Sequence, residues 1–138
     1  MIGPYLKELL MDMRTVMYPY TAMKLKESKK NCVKDFLAVA GVFGVSHLMV
    51  FTQTETSNYL RIIKTPKGPT LTFKIEEYSL ARDIVRYVQN IKKQTKIYSQ
   101  TLQSAPLLIM NGFSALKEND PRKIASIMIQ SMFPPLKV

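Results

Sequence analysis

The chain is poor in the residues that carry most covalent and metal chemistry. Its 138 residues include one cysteine (Cys32), one histidine (His47) and no tryptophan. A single cysteine excludes an internal disulfide framework, and one histidine beside one cysteine leaves no zinc cluster of the usual ligand types. Any histidine-based catalytic constellation would have to form around His47 alone. A long hydrophobic run is also missing. The most apolar stretch, 36–51, is interrupted by Gly41, Gly44, Ser46 and His47, and it is shorter than the roughly 20 residues that span a bilayer. The N-terminus has no basic segment followed by an apolar one and a small-residue cleavage site, so no secretory leader is expected. These absences predict a soluble, intracellular chain with a reduced thiol, no membrane segment and no bound metal. Acidic residues are scarce too: 10 Asp+Glu face 20 Lys+Arg, for a formal net charge of +10.

What is present describes a folded protein. With 46% hydrophobic and 22% charged residues, the composition is that of a globular chain rather than a disordered one. The length suits one domain large enough to bury a core. Nine methionines read as adaptable core filler. The basic excess is the compositional feature that points outward, toward phosphate-rich or acidic partners.

Periodicity predicts the order α-α-β-β-β-α-β-α, an α/β fold of one small mixed sheet packed with helices. Pro4 suits a first helical turn, and Leu6, Leu9, Leu10, Met13, Val16 and Met17 follow at helical spacing, with a stop before Tyr18-Pro19. The polar segment 24–31 reads as an exposed loop. A second helix is expected over Val33–Val42, ended by Gly44. Val45–Thr52, Asn58–Lys64 and Thr70–Ile75 read as strands, joined by turns at 54–57 and 65–69. Ser79 is the expected N-cap of a third helix carrying Leu80, Ile84, Val85, Val88 and Ile91. Residues 92–105 read as a polar connection and 106–111 as a short buried strand. Asp120-Pro121 then opens a last helix with Ile124, Ile127, Met128 and Met132 inward.

No catalytic set converges. His47 lies in an apolar strand without a serine elbow or an activated cysteine, and reads as structural. Cys32, although beside lysines that could lower its pKa, reads as inert. Glu76 and Glu77 are adjacent, so on a strand end they point to opposite sides and cannot flank one substrate bond. Gly41-Val-Phe-Gly44 has the spacing of a nucleic-acid clamp loop, but its central residues are apolar where a backbone-gripping loop wants small or basic ones. It reads better as a helix end running into a strand. Lys67-Gly-Pro-Thr70 is no phosphate cradle, because Pro69 removes a needed amide donor. The expectation is therefore no enzyme, no cofactor and no small-molecule substrate.

The basic clusters are more informative. Residues 24–34 hold Lys24, Lys26, Lys29, Lys30 and Lys34 against Glu27 alone, and no acid occurs from Ile84 to Lys117, where Arg86, Lys92, Lys93 and Lys96 interleave with Tyr87 and Tyr98. Arg61, Lys64 and Lys67 add cations on the second strand and its following turn. Clustered cations neutralise phosphates, and rings among them allow bases to stack. The candidate RNA-binding set is thus Lys24, Lys26, Lys29, Lys30, Lys34, Arg61, Lys64, Lys67, Lys92, Lys93 and Lys96. A different reading of the same charge is a protein–protein interaction module whose basic face meets an acidic partner.

Several stretches also resemble a known family. Lys29-Lys-Asn-Cys-Val-Lys-Asp-Phe36, Gly44-Val-Ser-His-Leu48, Lys67-Gly-Pro-Thr-Leu-Thr-Phe73, Tyr78-Ser-Leu-Ala-Arg-Asp83, Pro106-Leu-Leu-Ile-Met-Asn-Gly-Phe113 and Met132-Phe-Pro-Pro135 look in order like the Brix domain, and more narrowly like the Peter Pan branch of ribosome-assembly factors. The resemblance implies a fold related to anticodon-binding domains of aminoacyl-tRNA synthetases. It also implies a non-enzymatic factor of large-subunit assembly, located in the nucleus and nucleolus. Such a factor binds precursor ribosomal RNA and works as a heteromer with other ribosome-assembly proteins. A family domain has two similar halves, so residues 1–138 correspond to the N-terminal half. On that view an apolar face should lie bare on the first helix (Leu6, Leu10, Met13, Met17) and on the last (Ile129, Met132, Phe133), ready for the other half.

Overall fold

Helix α1, Pro4–Val16, starts where proline costs nothing, since the first helical amides have no intrahelical acceptor. It turns Leu6 inward to 1% exposure, the most deeply buried large side chain among the described residues. These facts come from a computed structural model, which describes residues 2–26, 28, 30–92, 106–113 and 115–133. Helix α2 covers Val33–Ala40, followed by β1 (His47–Gln53), β2 (Asn58–Lys64), β3 (Thr70–Ile75), α3 (Ala81–Lys92) and α4 (Pro121–Met132). The three strands form an antiparallel sheet in the order β1-β2-β3.

Register decides what each face of the sheet carries, because directly paired residues share a face and successive ones alternate. Phe51 pairs with Leu60, and Met49 pairs with Ile62, which in turn faces Leu71. This inner face has Phe51 and Ile62 buried, while the outer face is apolar at one end, where Leu48 and Val50 are half-buried and Ile63 is buried. Helices are tied to it at both ends of β1. The Gly3 amide, just before α1, donates to Gln53 Oε1 at 2.6 Å. His47 reaches Ser131 of α4, with Nε2 3.0 Å from its hydroxyl. Leu80, Ala40, Ile63 and Met128 complete the buried apolar set.

The α/β architecture expected from periodicity is the one observed, and β2 and β3 begin and end where alternation places them. The sheet is antiparallel throughout the described residues rather than mixed, and β1 runs His47–Gln53 rather than Val45–Thr52. Four further details differ. The run 106–111 forms no strand: among the described residues the sheet has three strands. Its alternation is nonetheless real, since Pro106, Leu108 and Met110 are half-buried while Leu107 and Ile109 are exposed. Period two reports an extended backbone with one side inward, and an extended backbone becomes a strand only when a neighbour accepts its ladder. In α4, Met128 is buried and Met132 half-buried as expected, but Ile124 and Ile127 are exposed and Ser126 is buried. The inward stripe is therefore rotated from the expected one, toward the side where Ser131 meets His47.

The third difference is at the start of α3. The helix opens at Ala81, whose amide donates to Asp12 Oδ2 of α1 at 2.9 Å, so a tertiary carboxylate does the work assigned to Ser79. Glu8 of α1 reinforces the junction through Arg82 at 2.9 Å, and that guanidinium also lies over the Tyr5 ring, 5.7 Å from its centroid. The fourth concerns α2, which ends at Ala40, before the expected Val42. The Val45 amide returns to Ala40 O at 2.9 Å across a turn in which Gly44 has φ +62°, a left-handed conformation that glycine adopts freely.

The faces expected to lie bare are covered. Leu6 is buried, and Leu10, Met13, Met17, Ile129, Met132 and Phe133 are half-buried. Met17 and Tyr20, just after α1, and Met132 and Phe133, at the end of α4, line one shallow depression. Other apolar side chains are exposed instead, among them Tyr5 and Met11 of α1, Ile124 and Ile127 of α4, and Val42 (84%) and Phe43 (75%) on the turn after α2.

His47 is bonded on both ring nitrogens. Ser131 Oγ donates to Met128 O at 2.8 Å, so it accepts from Nε2–H, which leaves Nδ1 to accept from Ser46 Oγ at 2.9 Å. Every bond in this chain is satisfied by the neutral ring. Burial, and secondarily the charge of Lys64, push the His47 pKa below the ordinary histidine value.

Two predictions follow from these contacts. Asp12→Ala removes the acceptor at α3 and should cost about 1 kcal/mol, the usual value of an N-cap; Asp12→Asn, which keeps an acceptor, should recover most of it. Thermal melts of the three proteins decide this, and equal midpoints would show that the Ala81 amide needs no cap. For His47 the unfolded chain takes up the proton more readily than the folded one. Its contribution is therefore complete above the ordinary value of about 6.5 and fades as pH falls through the lowered folded value. Since it is the sole histidine, melting between pH 7.5 and 5 should show a falling midpoint that His47→Gln flattens. An unchanged slope in the variant would mean that other groups carry the effect.

Candidate nucleic-acid interface

The electrostatics of the surface begin with where the acids are. All four aspartates of the chain sit at or against helix N-termini, whose free amides and dipole favour negative charge. Asp12 receives the Ala81 amide. Asp35, in the first turn of α2, accepts from the Cys32 amide at 2.7 Å, and that bond holds its carboxyl below the usual carboxylate range. Asp83 lies in the first turn of α3. Asp120 caps α4, accepting from the Arg122 amide at 2.9 Å and pairing with its guanidinium at 2.7 Å, and the Arg122 side chain and amide likewise lower its pKa. Carboxylates engaged in this way are not available to neutralise the lysines.

The lysines are correspondingly open. Lys24, Lys26, Lys30 and Lys34 are all exposed, and no ion pair among the described residues involves any of them. They lie along one stretch that runs from the irregular segment after α1 into the first turn of α2. Lys29, Lys93 and Lys96 lie outside the described residues, as does the side chain of Lys92.

Arg61, Lys64 and Lys67 belong to the sheet, and the structure separates them. Lys64 is half-buried on the inner face, directly opposite His47. Lys67 is exposed at the tip of a tight turn in which Lys64 N donates to Pro69 O at 3.1 Å and Gly68 N to Lys64 O at 3.0 Å. A Cβ on Gly68 would collide with the side chain of Lys64, so glycine is required there. The Thr65 amide donates to Ser46 O at 3.0 Å and its hydroxyl to Val45 O, which ties this turn to the segment before β1. Arg61 points the other way, exposed on the outer face.

That outer face holds two residues that the search for lysine clusters missed. Tyr59 and Arg61 of β2 share it with Lys74 of β3, since Tyr59 pairs directly with Lys74 and Arg61 with Thr72. Alternation along β2 and β3 carries this signal, but a count of neighbouring charges in sequence does not. The glutamates Glu76 and Glu77 are exposed just beyond β3. Cys32 is exposed at the N-cap position of α2. Among the described residues, no group of three or more His, Cys, Asp or Glu side chains could hold a metal ion, and no helix is long and apolar enough to cross a membrane.

Comparison with known proteins places this surface in context. A family model for the Brix domain matches residues 2–138. Ribosome biogenesis protein SSF2 of Saccharomyces cerevisiae is 43% identical over 140 residues, covering 95% of this chain and 30% of the yeast protein. The Peter Pan-like protein of Arabidopsis thaliana is 42% identical over 136 residues, covering 99% of the chain and 37% of the plant protein. Protein Peter pan of Drosophila melanogaster is 35% identical over 135 residues, covering 98% of the chain and 28% of the fly protein. The chain thus spans well under half the length of these relatives. With the family model matching nearly every residue and the relatives aligned along almost the whole chain, the protein belongs to the Brix-domain family, in the Peter Pan branch that includes ribosome biogenesis proteins.

Proposed function

We propose that the chain is the RNA-holding part of a non-catalytic assembly factor for the large ribosomal subunit, bound to precursor ribosomal RNA and acting in the nucleolus with other assembly proteins. The observation that carries this reading is the division of charge: every aspartate serves a helix terminus, while Lys24, Lys26, Lys30 and Lys34 stand exposed without an acidic partner among the described residues. A surface so arranged attracts a polyanion through counterion release and needs no particular base sequence. Family membership supports the same reading, since relatives bear the name of ribosome biogenesis proteins. Within it, residues 1–138 act as the first half of a two-part domain, in line with alignments that take up 30% and 37% of the yeast and plant relatives.

A second reading, contact with a protein partner, draws on the turn after α2. Val42 and Phe43 are adjacent and strongly exposed on a hydrogen-bonded turn, and contiguous exposed apolar surface, where it is large, marks interaction sites. The two readings are compatible in an assembly factor, which must hold RNA and protein together.

Salt dependence separates them. Each phosphate neutralised on a single strand contributes about 0.7 to the slope of log affinity against log salt. Replacing Lys24, Lys26, Lys30 and Lys34 with Ala should therefore flatten that slope by up to about 3 and weaken RNA binding without regard to sequence. The melting midpoint should stay close to that of the parent, as for most exposed substitutions. An RNA affinity insensitive to salt, or a variant that binds RNA as the parent does, would overturn the reading.

A further inference from the structure

The outer face of the sheet differs from the inner one in more than polarity. At one end of it Ile63 is buried and Leu48 and Val50 are half-buried; toward the other end Thr52, Arg61, Thr72 and Lys74 are exposed, as is Thr70 at the margin, and Tyr59 is half-buried. None of the strand residues on this face is acidic, and no ion pair among the described residues engages Arg61 or Lys74. Tyr59 faces Lys74 directly, and Arg61, which pairs with Thr72, is the diagonal neighbour of Lys74. Diagonal neighbours on one sheet face stand about 7–8 Å apart, a separation that long cationic side chains adjust to successive phosphates of an extended strand. Thr52 and Thr72 flank the ring and the guanidinium, and their hydroxyls both donate and accept. β2 lies between two partners, so Tyr59 and Arg61 sit on the most firmly held strand of the sheet.

We propose that this face is a stacking platform for single-stranded RNA, with one base on the Tyr59 ring and the flanking phosphates on Arg61 and Lys74. The inference rests on the RNA-binding reading above and adds to it a second surface and the strand state of its ligand. A ring presented on a sheet can stack only on a base that has left its own stack. A duplex hides its base faces and displays only backbone and groove edges. The basic segment 24–34 has no ring among its cations, so it holds backbone without distinguishing single from double strands. The sheet face supplies that distinction. Charge complementarity alone would also suit an acidic peptide, but such a partner has no use for a ring set between two cations.

Binding of the whole chain to a labelled oligouridylate of about ten nucleotides, and to an RNA duplex, tests this. Tyr59→Ala should weaken the oligouridylate about five- to hundredfold, the range that one stacked base commands, and leave the duplex unchanged. Tyr59→Phe keeps the ring and should keep the affinity. Arg61→Gln and Lys74→Gln, at exposed positions that do not threaten folding, should each lower the single-strand salt slope by about 0.7. If Tyr59→Ala melts early, these two variants and Tyr59→Phe still decide the matter. Oligouridylate affinity unchanged in all four variants, while replacement of the four lysines of the basic segment weakens it, would overturn this inference and leave the functional reading standing. An equal loss for oligouridylate and duplex in Tyr59→Ala would also overturn it, as would displacement of the oligonucleotide by polyglutamate at matched charge. Failure of the unaltered chain to bind either RNA would remove the functional reading itself.

Discussion

The contact between Asp12 and the first amide of α3 is the constraint on which much of the structure depends. It joins two helices that are distant in sequence, and it does so at a point where a helix must find an acceptor from outside itself. Glu8, Arg82 and Tyr5 extend the same junction along α1, while Leu6, between Tyr5 and Glu8 on that helix, is the buried anchor. Because the Gly3 amide simultaneously binds Gln53 at the end of β1, α1 connects the sheet to α3. The sheet is held at its other end by the hydrogen bonds from His47 to Ser131 of α4. The fold is thus laced by a few directional bonds around a modest apolar core.

The same need for helix-terminal acceptors shapes the outer surface. A chain with twice as many cationic as anionic side chains cannot neutralise its lysines, and this one also commits all its aspartates to amides and arginines at helix starts. Among the cations left outside are those of a basic segment leading into α2 and two on a sheet face that also carries a ring. These differ in kind. The first is an irregular run of lysines suited to backbone phosphates, the second a rigid arrangement whose spacing is set by strand register. Charge supplies attraction, and geometry supplies discrimination.

Much of the fold was legible before any coordinates. Strands β2 and β3 alternate cleanly and are bounded by turn residues, Asp120-Pro121 is a helix start of unambiguous chemistry, and Pro4 opens α1 for the same reason. The run 106–111 misled because alternation speaks of an extended chain and one inward side, which Pro106, Leu108 and Met110 do show, but says nothing about a hydrogen-bonding neighbour. Ser79 misled because capping rules are local, whereas the acceptor that serves α3 comes from a residue 69 positions earlier. In α4, Met128 is inward as its spacing predicts, but Ile124 and Ile127 are exposed and Ser126 is buried in their place. Hydrophobicity favours the isoleucines, but which side of the helix turns inward depends on what packs against it from distant segments. Of the candidate site, the lysines of segment 24–34 were evident from charge density, while Tyr59 and Lys74 escaped a reading that counted neighbours along the chain.

By itself, the sequence determined the helices and most of the strands, the basic excess, the poverty of catalytic and metal-binding residues, and the family. These depend on local periodicity, on composition and on motifs that are contiguous in the chain. Only the tertiary structure decided which carboxylates are consumed at helix ends, which apolar runs become strands, and which cations share a surface. Those are questions of pairing between distant segments. Arg61 and Lys74 are thirteen positions apart in the chain and diagonal neighbours on one sheet face because the antiparallel register of β2 and β3 places Arg61 opposite Thr72.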